Sequence, residues 1–132
     1  MKSIIDAYPA NARNTALKLR DCIFSVADER RVGLLTETLK WGEPSYLTEQ
    51  TKAGSTVRLG WSAKRPDVVG LFFNCNTNLV DRFRQLFPTS FEYIGNREIR
   101  IPIGTINDIE SLEVCIGMAL TYHRDKSKKV GR

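Results

Sequence analysis

A chain of 132 residues with 42% hydrophobic side chains has the size of one compact domain and enough apolar content for an ordinary core. Its three cysteines, Cys22, Cys75 and Cys115, are odd in number and widely spaced, which speaks against a disulfide framework or a CxxC zinc pair and for a reducing, cytoplasmic setting. The net charge of +5 does not describe a basic body, because Arg124, Lys126, Lys128, Lys129 and Arg132 against Asp125 place most of it at one end.

Met1 to Pro9 carries Asp6 and too short an apolar run for a signal peptide, and no later run approaches the ~20 residues of a membrane span. The expected organisation is a single domain over residues 1–124 and a basic, flexible C-terminal tail over 125–132. After Pro9, a natural first-turn residue, Ala12, Ala16, Leu19, Ile23 and Ala27 recur at steps of three and four, predicting one amphipathic helix over Ala10 to Glu29. Leu34 to Trp41 fits either a short helix or the approach to a strand, closed by a turn at Gly42-Glu43-Pro44.

Ser45 to Thr48 is a short strand candidate. From Thr56 to Ser62, Val57, Leu59 and Trp61 alternate with Thr56, Arg58 and Gly60, as in a strand with one buried face. A turn marked by Pro66 leads to Val68–Asn74, whose nearly unbroken apolar run suits the middle of a sheet. Helical spacing returns from Thr77 and ends at Pro88, with Leu79, Val80, Phe83, Leu86 and Phe87 on one side. Phe91–Ile94 and Arg97–Ile103 flank Gly95-Asn96, read as a two-residue hairpin turn. Asn107, with Glu110 three positions on, opens a last helix whose inner stripe runs through Ile109, Leu112, Ile116, Ala119, Leu120 and His123. The short connections favour antiparallel pairing, so the predicted fold is α+β: two layers, a curved antiparallel sheet of about five strands against N- and C-terminal helices.

Arg97 is the most informative polar residue, because alternation puts it on the face of Ile99, Ile101 and Ile103 and so points it inward. An inward guanidinium left without its partner costs on the order of 3–5 kcal/mol, so it pairs with a carboxylate such as Glu37 or Glu43 or holds an anionic ligand, the third reading being a different strand register. His123 on an apolar stripe reads as a hydrogen-bonded core residue or a base. Cys75, where a strand hands over to a helix, is a candidate nucleophile with His123 as its base, against the plainer reading of a small buried side chain. Trp41, Tyr46 and Trp61 lie near turns and either pack or line a pocket. One histidine and scattered carboxylates offer no zinc-ligand spacing, and no metal or other cofactor is expected.

Taken together, Glu37 to Thr48 (ETLKWGEPSYLT), Gly54 to Trp61 (GSTVRLGW), Phe72 to Pro88 (FFNCNTNLVDRFRQLFP), Gly95 to Arg97 (GNR) and Ala119 to Arg124 (ALTYHR) resemble the YdhG-like domain family of unknown function, over Ala12 to Arg124. The resemblance implies a small α+β fold related in shape to frataxin-like domains and no established reaction. Iron delivery from an acidic helix ridge is disfavoured, since the first helix mixes Asp21, Asp28 and Glu29 with Arg13, Lys18 and Arg20. Two positions depart from the family pattern: Asp125 to Lys129 stand where relatives continue into an apolar ending, and Glu98 follows GNR where a small or apolar residue is usual.

The functional expectation is a small cytosolic domain that binds a small ligand, an anion being one candidate, near the KWGEPSY turn through Trp41, Tyr46, Trp61, Asn74, Arg97 and His123, with catalysis the less favoured reading. Two alternatives stay open: an enzyme using Cys75 and His123, and a module for protein or nucleic acid acting through the basic tail. No membrane contact is expected, the absence of an RNP-like run speaks against nucleic acid, and the chain is expected as a monomer or homodimer.

Overall fold

The long amphipathic stretch after Pro9 is one helix, and the alternating segments that follow build one sheet beneath it. The structure is a computed structural model that describes the backbone of residues 2–130 and the side chains of residues 4–126. The order is α1 (Lys2–Asp6), α2 (Ala10–Glu29), β1 (Thr36–Lys40), β2 (Glu43–Leu47), β3 (Val57–Ser62), β4 (Arg65–Phe73), α3 (Leu79–Leu86), β5 (Glu92–Ile94), β6 (Glu98–Pro102), α4 (Ile109–Leu120) and α5 (Tyr122–Val130). The six strands form an open sheet in the order β1-β2-β3-β4-β6-β5, with every pair antiparallel. The α+β reading therefore holds, with six strands in place of about five.

The extra strand is β1, which resolves the helix-or-strand ambiguity of Leu34 to Trp41. Trp41 and Gly42 both adopt positive φ (56° and 74°), the conformation of a two-residue hairpin turn whose twist matches that of the flanking strands. The chain thus reverses at Trp41-Gly42, ahead of the expected Gly42-Glu43-Pro44 turn, and Glu43 and Pro44 open β2 opposite Lys40 and Leu39. The second hairpin also departs from expectation. Ile94 pairs with Glu98, so Gly95-Asn96-Arg97 is a three-residue loop and Arg97 precedes the strand.

One sheet face carries Tyr46, Val57, Leu59, Val69, Leu71, Phe73, Ile99 and Ile101, all buried against Leu19, Ile23 and Val26 of α2 and Leu112, Ile116 and Leu120 of α4. Full burial of a single Leu, Ile or Val contributes about 1.5–3 kcal/mol, and here the alternation of the strands aims all of these side chains at one layer of helices. Gly54 lets the segment before β3 lie directly on the Leu120 backbone, where a Cβ would collide with the carbonyl.

The last helix is two helices. Asp108, not Asn107, is the N-cap of α4, with its side chain accepting from Ser111 N at 3.4 Å. At the other end Thr121 Oγ1 donates back to Gly117 O at 2.8 Å, a bond that bends helices, and His123 N and Arg124 N both turn to Ala53 O. The phase of α4 is lost at that break, so His123 leaves the apolar stripe and is exposed. The expected tail at 125–132 begins inside α5; the side chains of 127–132 lie outside the described residues.

Candidate functional site

Alternation sends Lys40, Glu43, Ser45, Arg58, Gly60, Gly70, Phe72, Glu98 and Arg100 to the sheet face away from the helices. On this face Arg58 Nη1 donates to Glu43 Oε1 at 3.0 Å while its guanidinium lies over the Phe72 ring, 5.5 Å from the centroid. Arg100 Nε reaches Glu98 Oε2 at 3.4 Å. The Arg58–Phe72 stack lies between two depressions, with Arg58 lining one and Phe72 the other.

The larger, about 240 Å³, is lined by Lys40, Trp41, Thr56, Arg58, Phe73, Asn74, Cys75 and Arg97. Three cations border it and no carboxylate does. Among the described residues no carboxylate lies within salt-bridge distance of Lys40 or Arg97. Two loops build its wall and are tied to each other. Arg97 O accepts from Phe73 N at 2.7 Å, and Asn96 Nδ2 donates to Cys75 O at 3.1 Å. Asn74 Oδ1 accepts from Asn76 N at 2.8 Å, and Asn74 O accepts from the Thr77 hydroxyl at 2.6 Å, closing the turn into α3. Trp41 stands at the rim, 89% exposed, on the positive-φ turn.

The smaller depression, about 60 Å³, is lined by the glycine pair Gly60 and Gly70, by Glu43 and Glu98, and by Arg65. Glu98, expected to face solvent, lies on the outer face but is 93% buried, because Gly70 leaves room for its carboxylate to fold down. Burial pushes the Glu43 carboxyl above its ordinary value, Arg58 partly opposes this, and the Glu98 charge adds to it.

Of the six residues expected at the site, Trp41, Asn74 and Arg97 come together, with Cys75 beside them. Arg97 is exposed in the hairpin loop and not inward, because the three-residue turn ends the strand before it. Neither expected carboxylate partner serves it: Glu37 is held by Arg20 through bonds of 2.5 and 2.9 Å, and Glu43 by Arg58. Tyr46 is fully buried in the core with its ring edge against Phe24 at 5.7 Å. Trp61 packs on Tyr8 at 5.8 Å and donates from Nε1 to Pro66 O at 3.1 Å. His123 borders a different cavity, of about 310 Å³, with Thr48, Lys52, Gly54 and Thr56, its ring against Tyr122. Thr56 touches both cavities, yet no hydrogen bond joins Cys75 to His123.

Lys40 and Arg58 are the site residues that sequence reasoning missed. The polar phase of the Thr56–Ser62 alternation exposed Arg58 as an outward residue, but its meeting with Lys40 depends on β1 pairing with β2 and β2 with β3. Among the described residues no group of three His, Cys, Asp or Glu gathers to hold a metal, and no helix is long and apolar enough to cross a membrane. No family model, curated protein or solved structure matches the chain.

Proposed function

We propose that this chain is a binding domain for a small anionic molecule, held in the cleft between the Trp41-Gly42 turn and the Gly95–Arg97 loop. The observation that carries the reading is the convergence of Lys40, Arg58 and Arg97 on one cleft whose lining has no carboxylate: Arg58 is shared with Glu43 behind it, and Lys40 and Arg97 have no carboxylate within salt-bridge distance among the described residues. Like charges brought together repel, each pair by roughly 1 kcal/mol at 4 Å in water and about four times that near a protein surface, and an anion among them relieves the repulsion. The two arginines supply the planar fork that fits a carboxylate or phosphate, and Asn74 adds an amide at the wall. A YdhG-like identity, with its frataxin-like shape, and a cytoplasmic location belong to the same reading; they rest on the motif set and on three free thiols.

The test is calorimetric titration with inorganic phosphate and with citrate, on the native protein and on Arg97→Ala and Lys40→Ala. Arg97 is exposed and unbridged, so Arg97→Ala should unfold within about 0.5 kcal/mol of the native chain. Binding that weakens in both variants and falls as salt rises supports the reading. Anions that fail to bind, or that bind Arg97→Ala as well as the native protein, overturn it.

A further inference from the structure

We infer, building on the anion-binding reading, that the ligand is a phosphate monoester bearing a flat aromatic ring, of the chemical class of a nucleoside monophosphate. Its phosphate would lie among Lys40, Arg58 and Arg97, and its ring on Trp41.

The first support is the placement of Trp41. A residue at the first position of a positive-φ hairpin turn is most at ease as Asn, Asp or Gly, and a bulky side chain there is a steric outlier. Trp41 takes that conformation with φ 56° and then packs against almost nothing, since 89% of its surface is exposed. The strain has no return within the free domain, whereas an aromatic face presented beside three cations matches the way bases and phosphates are held together. The other tryptophan does not share this arrangement, because Trp61 is packed on Tyr8 and hydrogen-bonded to Pro66.

The second support is size. About 240 Å³ is below the roughly 300–1,000 Å³ of clefts that enclose a whole drug-sized ligand, so the cleft takes the charged end of a molecule and leaves the remainder at the rim, where Trp41 stands. The third is the neighbouring depression. A nucleic-acid strand needs cations that continue along its backbone, but beyond the Arg58–Phe72 stack the face carries Glu43 and Glu98, which hold Arg100 and share Arg58 with the cleft, and among the residues lining that depression Arg65 is the one cation. A compact ligand with one phosphate fits this face, and a polyanion does not.

The experiment compares adenosine monophosphate, ribose 5-phosphate, adenosine and a short oligodeoxythymidylate, by calorimetry and tryptophan emission, on the native protein and on Trp41→Asn. Trp41→Asn removes the ring and installs the Asn-Gly pair favoured in this turn, so the variant keeps its fold. Adenosine monophosphate should bind about 10-fold or more tighter than ribose 5-phosphate, quench Trp41, and lose that preference over ribose 5-phosphate in Trp41→Asn. Equal affinities for the two phosphates in the native protein overturn the inference and leave the anion reading standing. Failure of both phosphates and of inorganic phosphate removes both. An oligonucleotide that binds far more tightly than the monophosphate at equal nucleotide concentration overturns the compact-ligand assignment in favour of a single strand.

Discussion

Gly60 on β3 and Gly70 on β4 stand directly opposite each other, and the carboxylates of Glu43 and Glu98 lie where Cβ atoms on those two residues would have projected. The absence of two side chains at adjacent central positions thus lets acidic groups fold down onto the sheet. Their positions hold Arg58 and Arg100 on the same face, and Arg58, bonded to Glu43 of the smaller depression, lines the larger one.

The two glycines should respond unequally to alanine. A Cβ at Gly70 would sit 2.8 Å from the Phe72 ring and 2.9 Å from Glu98 Oε2, and the ring is pinned beneath Arg58. Gly70→Ala is therefore expected to lose about 1–2 kcal/mol through overpacking. At Gly60 the obstacle is the end of Glu43, a flexible side chain that can swing aside by giving up its bond to Arg58, and the roughly 0.5–1 kcal/mol gained from losing a strand glycine offsets part of that cost, so Gly60→Ala should lose less than Gly70→Ala. Urea unfolding of both variants measures the difference; equal losses would show that Phe72 is free to move.

Glu43 and Glu37 should act on stability with opposite pH slopes. Glu43 has its folded value raised, so its contribution is fully present below the unfolded carboxyl range and is lost as pH rises through the raised folded value. Glu37, which Arg20 holds below the ordinary range, contributes above the unfolded value and loses that contribution as pH falls through the lowered one. Relative to the native chain, Glu43→Gln should therefore gain stability as pH increases and Glu37→Gln should lose it. Denaturation series from pH 3 to pH 8 read both slopes, and parallel curves would contradict the assignment.

Tyr46 is fully buried, and its hydroxyl has no hydrogen-bond partner of normal geometry although the Glu37 carboxylate is close. Tyr46→Phe removes that hydroxyl and keeps the ring against Phe24, so stability should be unchanged or higher by up to about 1 kcal/mol. A loss of more than about 1 kcal/mol would mean that the hydroxyl donates to Glu37 in solution. Affinity for anions should not change, since Tyr46 lies in the core and outside the cleft.

Thiol chemistry separates Cys75 from the other two cysteines. Cys22 and Cys115 are buried, and burial pushes their thiols up to about 11 and about 12, whereas Cys75 is exposed in the cleft wall. A disulfide reagent should titrate one thiol in the native protein and three after unfolding. Bound anion should slow the single native reaction, and Cys75→Ser should abolish it. Rapid native reaction at all three positions would mean that the α2–α4 packing opens readily.

Local pattern sufficed wherever a segment's own periodicity decided its state. The 3.6-residue spacing from Ala10 to Glu29 and the alternation of Val57 and Leu59 placed a helix and a strand where they are, because burying an apolar face needs just those spacings. The apolar run at Val68–Asn74 marked the centre of the sheet for the same reason, and β4 lies there between β3 and β6. Turns were less legible: positive φ at Trp41, which residue type disfavours, moved the start of the next strand by two positions, and a loop of three residues at Gly95 moved the start of β6 by one. For Arg97 that single position is the difference between an inward charge and an exposed one, and for His123 the bend at Thr121 had the same effect. The amino-acid order by itself thus determined the two-layer α+β plan and which faces are apolar. Tertiary structure alone decided that Lys40, Arg58 and Arg97 share a cleft, because each comes from a different strand or loop and their meeting depends on strand order and register, which no short stretch of chain encodes.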